Sequence, residues 1–373
     1  MRLAFSLLFV LHLSACGSDD AKYHEPLAGS GCVTRAIKNE FLVKFKDSRS
    51  IQRIEYPESR LSDLLKNRDI AWIEPNYAVP EVEAEPPIFP AILSNPNALV
   101  IGADFAWRQG FRGNGVTIAV VDSGVDVKHP SLRNAVRAGW NFIDNSAEVA
   151  DETGHGTHIA GIIAARRSPY HRFSGIAPQA QLVAADFMNA DRGDEYHALR
   201  AIEWSLQQGA KIINNSWSNF CSNSIRTSFS EWRSLNVIFV NAAGNDGRQI
   251  DNLPIFPANL NLANTITVGS ANSRGTRSPF SNYGHNVFIF APGEEVYSLA
   301  TREWGIGSLI SRSGTSMSTA YVSGALALVW SAYPSLSAAR IVSELKGRAH
   351  AADESDQPMI NVRALMETLS QSL

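Results

Sequence analysis

Three side chains in this sequence have the types needed for acyl-transfer chemistry: Ser316, His155 and Asp122. A serine hydroxyl attacks a carbonyl well only when a neighbouring base takes its proton. Imidazole is suited to that task near neutral pH. A buried carboxylate on the other ring nitrogen holds the tautomer and stabilises the imidazolium that forms. Singly, each residue has a duller role. An aspartate often caps a turn, a serine at a helix start is usually an N-cap, and a histidine often caps or packs. The joint presence of all three, in order and at the edges of regular elements, carries the weight.

Those elements are visible in the apolar patterning. Ile118-Ala119-Val120-Val121 belongs to a buried-type strand over 116–121, followed by Asp122-Ser123-Gly124. The glycine allows a tight turn beside the carboxylate. His155 opens a helix within Asp151-Glu152-Thr153-Gly154-His155-Gly156-Thr157-His158-Ile159-Ala160-Gly161, whose small residues permit close packing. His158 reads as a satisfied, partly buried side chain, since a His-x-x-His zinc site would lack a third ligand nearby. Ser316 lies in Gly314-Thr315-Ser316-Met317-Ser318, where a long helix starts and runs toward Tyr333-Pro334. Backbone N–H groups converge at such a helix start. Phe239-Val240-Asn241-Ala242-Ala243-Gly244-Asn245-Asp246-Gly247 is a strand entering a Gly-rich turn. Further strands over 182–185, 212–213, 237–240 and 265–268, with a helix over 198–207 that Gly209 ends, alternate strand with helix. That alternation predicts an α/β fold with a mostly parallel sheet and helices on both faces. Ligands bind at the carboxyl ends of strands in such sheets.

On these motifs the chain resembles the subtilisin-like serine proteases, the subtilases of peptidase family S8, which share the order Asp…His…Ser. The resemblance runs from about residue 99 to the C-terminus. It extends to Asn214-Asn215-Ser216-Trp217-Ser218, Phe256-Pro257-Ala258, Phe280-Ser281-Asn282-Tyr283-Gly284 and Ala291-Pro292-Gly293. It implies the three-layer subtilisin-like fold and a serine endopeptidase acting on extended protein or peptide substrates through an acyl-enzyme. Ser316 would be the nucleophile, His155 the base, Asp122 its orienting group, and Asn245 a side-chain donor to the oxyanion. Ser216, Trp217 and Ser218 would form an edge strand pairing with the substrate backbone. With Ala242, Ala243 and Gly244 they would line the pocket for the residue before the scissile bond. Two rival classes stand beside this. A non-catalytic lipoprotein could keep the fold to bind peptides, but a complete triad speaks against it. An esterase shares the chemistry, but Ser316 lacks a Gly-x-Ser-x-Gly elbow.

The chain also departs from the family. Ser218 replaces a usual glycine, Ala320 a usual proline and Tyr321 a usual histidine. Ser131 in His129-Pro130-Ser131-Leu132 stands where many relatives carry a calcium-binding aspartate. The loop Arg166-Arg167-Ser168-Pro169-Tyr170-His171-Arg172 has no carboxylate. Calcium requires anionic oxygens, so the usual site is expected to be lost; a different calcium site is left open, and no other cofactor or metal is expected.

Upstream of the catalytic region, residues 1–15 read as a signal peptide: an apolar run too short to span a bilayer. Leu13-Ser14-Ala15-Cys16 resembles a bacterial lipoprotein signal, with Cys16 lipidated; the alternative is ordinary cleavage near Ala15. Lipid chains would hold the protein on a membrane of the cell envelope. Residues 16–39 read as a flexible tether. Residues 40–79, with a strand over 40–46, a helix over 61–68 and Ile70-Ala71-Trp72-Ile73-Glu74-Pro75-Asn76 as a second strand, resemble the inhibitor-type prosegment of subtilases. The region is short for that role, and an uncleaved structural appendage is the alternative. Residues 80–98, rich in proline and glutamate, read as a linker and cleavage region, and 99–373 as the catalytic domain. The chain has 33 basic and 36 acidic residues with no basic run, so nucleic acid is not an expected partner. The expected partners are substrates, the chain's own prosegment and the membrane, with the protein a monomer. Cys32 and Cys221 would be the remaining thiols and form no disulfide framework.

Overall fold

The computed structural model describes residues 22–23, 35–48, 50–78, 95–189, 193–218, 222–253, 255–305, 307–350 and 358–371. The expected signal peptide, the expected lipidation position Cys16, both Cys32 and Cys221, and residues 79–94, which include most of the expected linker, lie outside the described residues.

A small N-terminal unit comes first. Its strands are β1 (Lys22–Tyr23), β2 (Ala36–Phe45), β3 (Ile51–Glu55) and β4 (Ile70–Tyr77), with helix α1 (Leu61–Leu65) before β4. The sheet order is β1-β4-β2-β3. Three features differ from the sequence reading. Lys22 and Tyr23 pair with Trp72 and Ile73, and β2 begins at Ala36, so parts of the expected tether belong to the sheet. The hairpin strand β3 had no distinct alternation to betray it. The helix ends at Leu65, three residues early. Alternation assigns the two faces of this sheet. Phe41, Val43, Ile70 and Ile73 pack beneath Leu61, Leu64 and Leu65. Leu42, Ile51, Trp72 and Tyr77 join the core of the following domain.

That domain continues with α2 (Asn97–Val100), α3 (Ala103–Arg108), β5 (Thr117–Asp122), β6 (Val136–Asn141), α4 (His155–Ala164), β7 (Gln181–Asp186), α5 (Glu195–Gln207), β8 (Ile212–Asn215), α6 (Asn223–Trp232), β9 (Ile238–Ala242), β10 (Thr265–Ala271), β11 (Ile289–Pro292), β12 (Val296–Leu299), β13 (Leu309–Arg312), α7 (Thr315–Ala332), α8 (Ala338–His350) and α9 (Val362–Gln371). A seven-stranded parallel sheet in the order β11-β10-β9-β8-β5-β7-β6 forms the middle layer. Period-two alternation sends Ile118, Val120, Leu182, Ala184, Ile212 and Val240 to the face covered by α4 and α7. It sends Ala119, Val121, Val183, Ala185, Ile213 and Phe239 to the face covered by α5 and α6. Both faces are dry, which is why these strands read as continuous apolar runs. All ten residues of α4 are buried, and α7 is buried from Thr315 to Trp330. Helices placed so deeply hold their first turns rigidly, and both catalytic candidates His155 and Ser316 stand there.

Two sequence departures find their partners here. Tyr321, fully buried on α7, donates its hydroxyl to Oδ1 of Asn95 at 3.0 Å and accepts from Nδ2 of Asn97 at 3.2 Å. The end of the expected linker is therefore folded: Asn95 and Ala98 are buried, and Asn97 opens a short helix. Ala320 lies wholly inside α7, where alanine's helix preference suits it.

Candidate active site

The site gathers at the carboxyl ends of the central strands. Asp122 closes β5 and is fully buried. Its Oδ1 accepts from the backbone N–H of Ser123 at 2.8 Å and meets Nδ1 of His155 at 2.7 Å. Two glycines permit this approach. Gly124 has φ +91°, a conformation that favours glycine. A Cβ on Gly156 would overlap the carbonyl oxygen of Gly124, and one on Gly124 would overlap that of Ala150. The backbones of the two motifs therefore touch directly, and the Asp122–His155 bond follows.

Asp151, quoted at the head of the histidine motif but given no role from sequence, organises the turn before α4. Its carboxylate accepts from Ser123 Oγ (2.9 Å), Gly154 N (2.8 Å) and Thr157 N (2.7 Å). The Ser123 hydroxyl in turn accepts from Gly156 N at 3.1 Å and from Thr153 Oγ1 at 2.7 Å. Burial pushes Asp151 up to about 6 despite these bonds. Asp186, at the end of the adjacent strand β7, is pushed up to about 8 by burial and then by the negative charges of Asp151 and Asp122. Three buried carboxyls in one corner cannot all ionise easily, so Asp186 carries a proton at neutral pH and leaves the charge to its neighbours.

Ser316 is the second residue of α7, and its hydroxyl caps nothing. It donates instead to the carbonyl oxygen of Ser216 at 2.9 Å, while Ser216 Oγ donates to the carbonyl of Ser316 at 3.0 Å. The N–H of Ser316, in the first turn, has no intrahelical acceptor by position. Asn245 is exposed beside it, after the end of β9. Oδ1 of Asn245 accepts from the N–H (2.9 Å) and hydroxyl (3.0 Å) of Thr315. That fixes the amide's orientation and leaves Nδ2 on the side of Gly314, 3.4 Å from where a Cβ there would sit. Thr315 also accepts from the N–H of Gly244 at 3.1 Å, a positioning role that sequence reading missed.

The strand expected over Ser216, Trp217 and Ser218 is not part of the sheet. β8 ends at Asn215, which lies opposite Val121 of β5 and Asn241 of β9, while both neighbours run one residue further, to Asp122 and Ala242. Residues 216–218 follow the strand outside any assigned element. Ser216 is locked to Asn214 through a 2.8 Å bond. The Trp217 ring turns into the core and packs edge-on against Phe187, 5.4 Å between centroids. Ser218 is buried at the last described position before 222. Ala242 and Ala243 are buried as β9 ends, and Gly244 follows.

His158 is not a metal ligand here: its Nε2 lies 3.0 Å from the carbonyl oxygen of Val296. At the position of the family's calcium loop, Ser131 Oγ meets His171 Nε2 at 3.2 Å, and Ser131 N–H donates to Nδ1 of His129 at 3.1 Å. The two imidazoles stack with centroids 6.3 Å apart. This set of nitrogens and one hydroxyl does not fit calcium.

The subtilase family matches residues 113–365. Subtilisin DY of Bacillus licheniformis is 32% identical over 271 residues, 71% of this chain and 96% of its own length. A thermostable alkaline protease of Halalkalibacterium halodurans is 34% identical, covering 88% of this chain and 87% of its own. The solved structure of a cold-adapted subtilisin-like serine proteinase superposes with TM-score 0.59 at 29% identity, over 68% of this chain and 90% of that one. The chain belongs to the subtilase family, and its fold is the three-layer α/β subtilisin fold.

Burial holds His129 down to about 4 and also lowers His171. Both take protons near 6.5 once unfolded, so the folded state loses stability as pH falls through 6.5, levelling near 4. His129→Gln with His171→Asn, in a Ser316→Ala background, should remove on the order of 2–3 kcal/mol of that pH-dependent loss. Thermal unfolding between pH 4 and 8 reads it; equal slopes in parent and variant would refute this account of the pair.

Proposed function

We propose that this subtilase is an active serine endopeptidase in which Ser316 attacks the peptide carbonyl. His155 takes the serine proton and delivers it to the leaving amine. Asp122 holds Nδ1–H of His155 and stabilises the imidazolium. The tetrahedral oxyanion is received by Nδ2 of Asn245 and the N–H of Ser316. The observation that carries this reading is the buried 2.7 Å contact between Asp122 and His155; the packing of α7, which carries Ser316, against α4, which carries His155, supports it. Residues 216–218 follow β8 at the carboxyl end of the sheet, beside Ser316 through the Ser216 bonds, where an extended substrate would run. The Ser316–Ser216 bond marks a resting rotamer that substrate displaces.

The reading also covers maturation. The N-terminal unit sits on α5 and α6, and Ala78 bridges to Asp194 as the chain leaves it. We infer that it is a prosegment and that the enzyme cuts within 79–97, after export and lipidation at Cys16. Intact mass of a soluble form from Gly17 should show the wild type losing a fragment ending in that region, with Ser316→Ala remaining whole. A wild type that stays whole would contradict self-processing.

Two further outcomes follow. Asn245→Ala should lower kcat by on the order of 10²–10³-fold with little change in KM, a magnitude taken from the loss of one such donor in subtilisin. An unchanged kcat would remove Asn245 from the mechanism. No calcium is assigned to the Ser131 loop, so Ser131→Ala should leave the effect of chelation on the thermal midpoint of Ser316→Ala unchanged; a changed effect would restore a calcium site at that loop.

A further inference from the structure

The contact between the prosegment and the catalytic domain contains two buried carboxyl groups facing each other. Glu74 on β4 is 1% exposed and Glu195, the first residue of α5, is fully buried. Ser222, the N-cap of α6, bridges them: its hydroxyl lies 3.1 Å from Glu74 Oε1 and also contacts Glu195 Oε1. Glu74 accepts further bonds from the N–H of Asn223 (3.0 Å) and of Ser224 (2.6 Å), and contacts the Ser224 hydroxyl. The Ser222 hydroxyl has one proton to donate, so both of its contacts are hydrogen bonds only if one of the carboxyls is protonated and donates to Oγ. Two bare carboxylates there would repel in a site without water.

We propose that Glu74 and Glu195 share a proton across this interface, so that prosegment docking is proton-linked: held as pH falls and loosened as it rises. This rests on the reading of residues 40–78 as a separable prosegment, and not on the activity of Ser316. Burial pushes Glu74 up to about 7, and burial with the charge of Glu74 pushes Glu195 well above the carboxylate range. Apart, each carboxyl would lose its proton near 4.5. Docking therefore takes up at least one proton above that pH, and weakens about tenfold per pH unit for each until the pair itself ionises.

The neighbouring groups do not supply this dependence. Arg53 on β3 lies 3.5 Å from Asp194 and 3.9 Å from Glu40 of β2. Asp194 also pairs with His197 at 2.8 Å. Although burial opposes it, those bonds hold Asp194 low. Lys44 of β2 pairs with the half-exposed Glu231 of α6 at 3.1 Å. Arg226 of α6 is exposed and bonds Asn223. Tyr77 on β4 is pushed above the range of the experiment by burial and by the two glutamates. His197, the partner of Asp194, is tested separately.

The experiment uses the full chain carrying Ser316→Ala, so that no processing intervenes. Hydrogen exchange followed by mass spectrometry, corrected for intrinsic rates, measures opening of peptides covering 70–78 from pH 5 to 9. The expected result is an opening constant that rises about tenfold per pH unit above pH 5. Glu195→Gln, which supplies a permanent donor to Glu74, should flatten that rise, and Glu74→Gln should do the same if the first variant folds poorly. His197→Asn should keep it. A flat profile in the parent, or an unchanged slope in both glutamine variants, would overturn the proposal.

Discussion

Close contact between the backbones of Gly124 and Gly156 is the constraint on which the site depends. The carboxylate of Asp122 and the ring of His155 come from different strands and helices, 33 positions apart. They can meet at 2.7 Å only if their chains approach without side chains between them. Asp151 and Ser123 then bind both segments into one turn, so the histidine enters α4 at a fixed angle. The surrounding architecture supplies rigidity. α4 and α7 lie wholly within the hydrophobic layer, and neither can rock without disturbing a close-packed core.

The same corner shows how charge is rationed. Asp122, Asp151 and Asp186 converge at the ends of β5 and β7 and on the loop between them. Burial and mutual repulsion raise Asp186 and Asp151. The rise at Asp186 is caused first by burial and then by the charges of Asp151 and Asp122 beside it. Similar physics acts at the interface of the N-terminal unit, where Glu74 and Glu195 meet. In both places the catalytic domain places carboxyls together and relies on hydrogen bonds and shared protons to keep them compatible with burial.

Much of this was legible in the sequence. The strands ending at Asp122, Asp186 and Ala242 are apolar runs because both sheet faces are covered. The helices opening at His155 and near Ser316 were visible through their Gly and Ala content. Other features were hidden because they depend on contacts distant in sequence. The partners of Tyr321 lie at Asn95 and Asn97, within a proline-rich stretch that looked like linker. The end of β8 at Asn215 is followed by Ser216, whose hydroxyl is held by Asn214 and by the backbone of Ser316 a hundred positions away, contacts that the sequence does not display. The positioning roles of Asp151 and Thr315 reside in hydrogen bonds that a motif does not display. β1 is two residues long and adds to β4 across 50 positions, which leaves no periodic signal.

The most direct test is whether Ser316 is an activated nucleophile. The purified chain would be treated with a fluorophosphonate and the adduct located by peptide mass spectrometry. The account predicts one adduct, on Ser316, formed orders of magnitude more slowly in His155→Ala and in Gly156→Ala. An unlabelled Ser316, or labelling indifferent to His155, would contradict it.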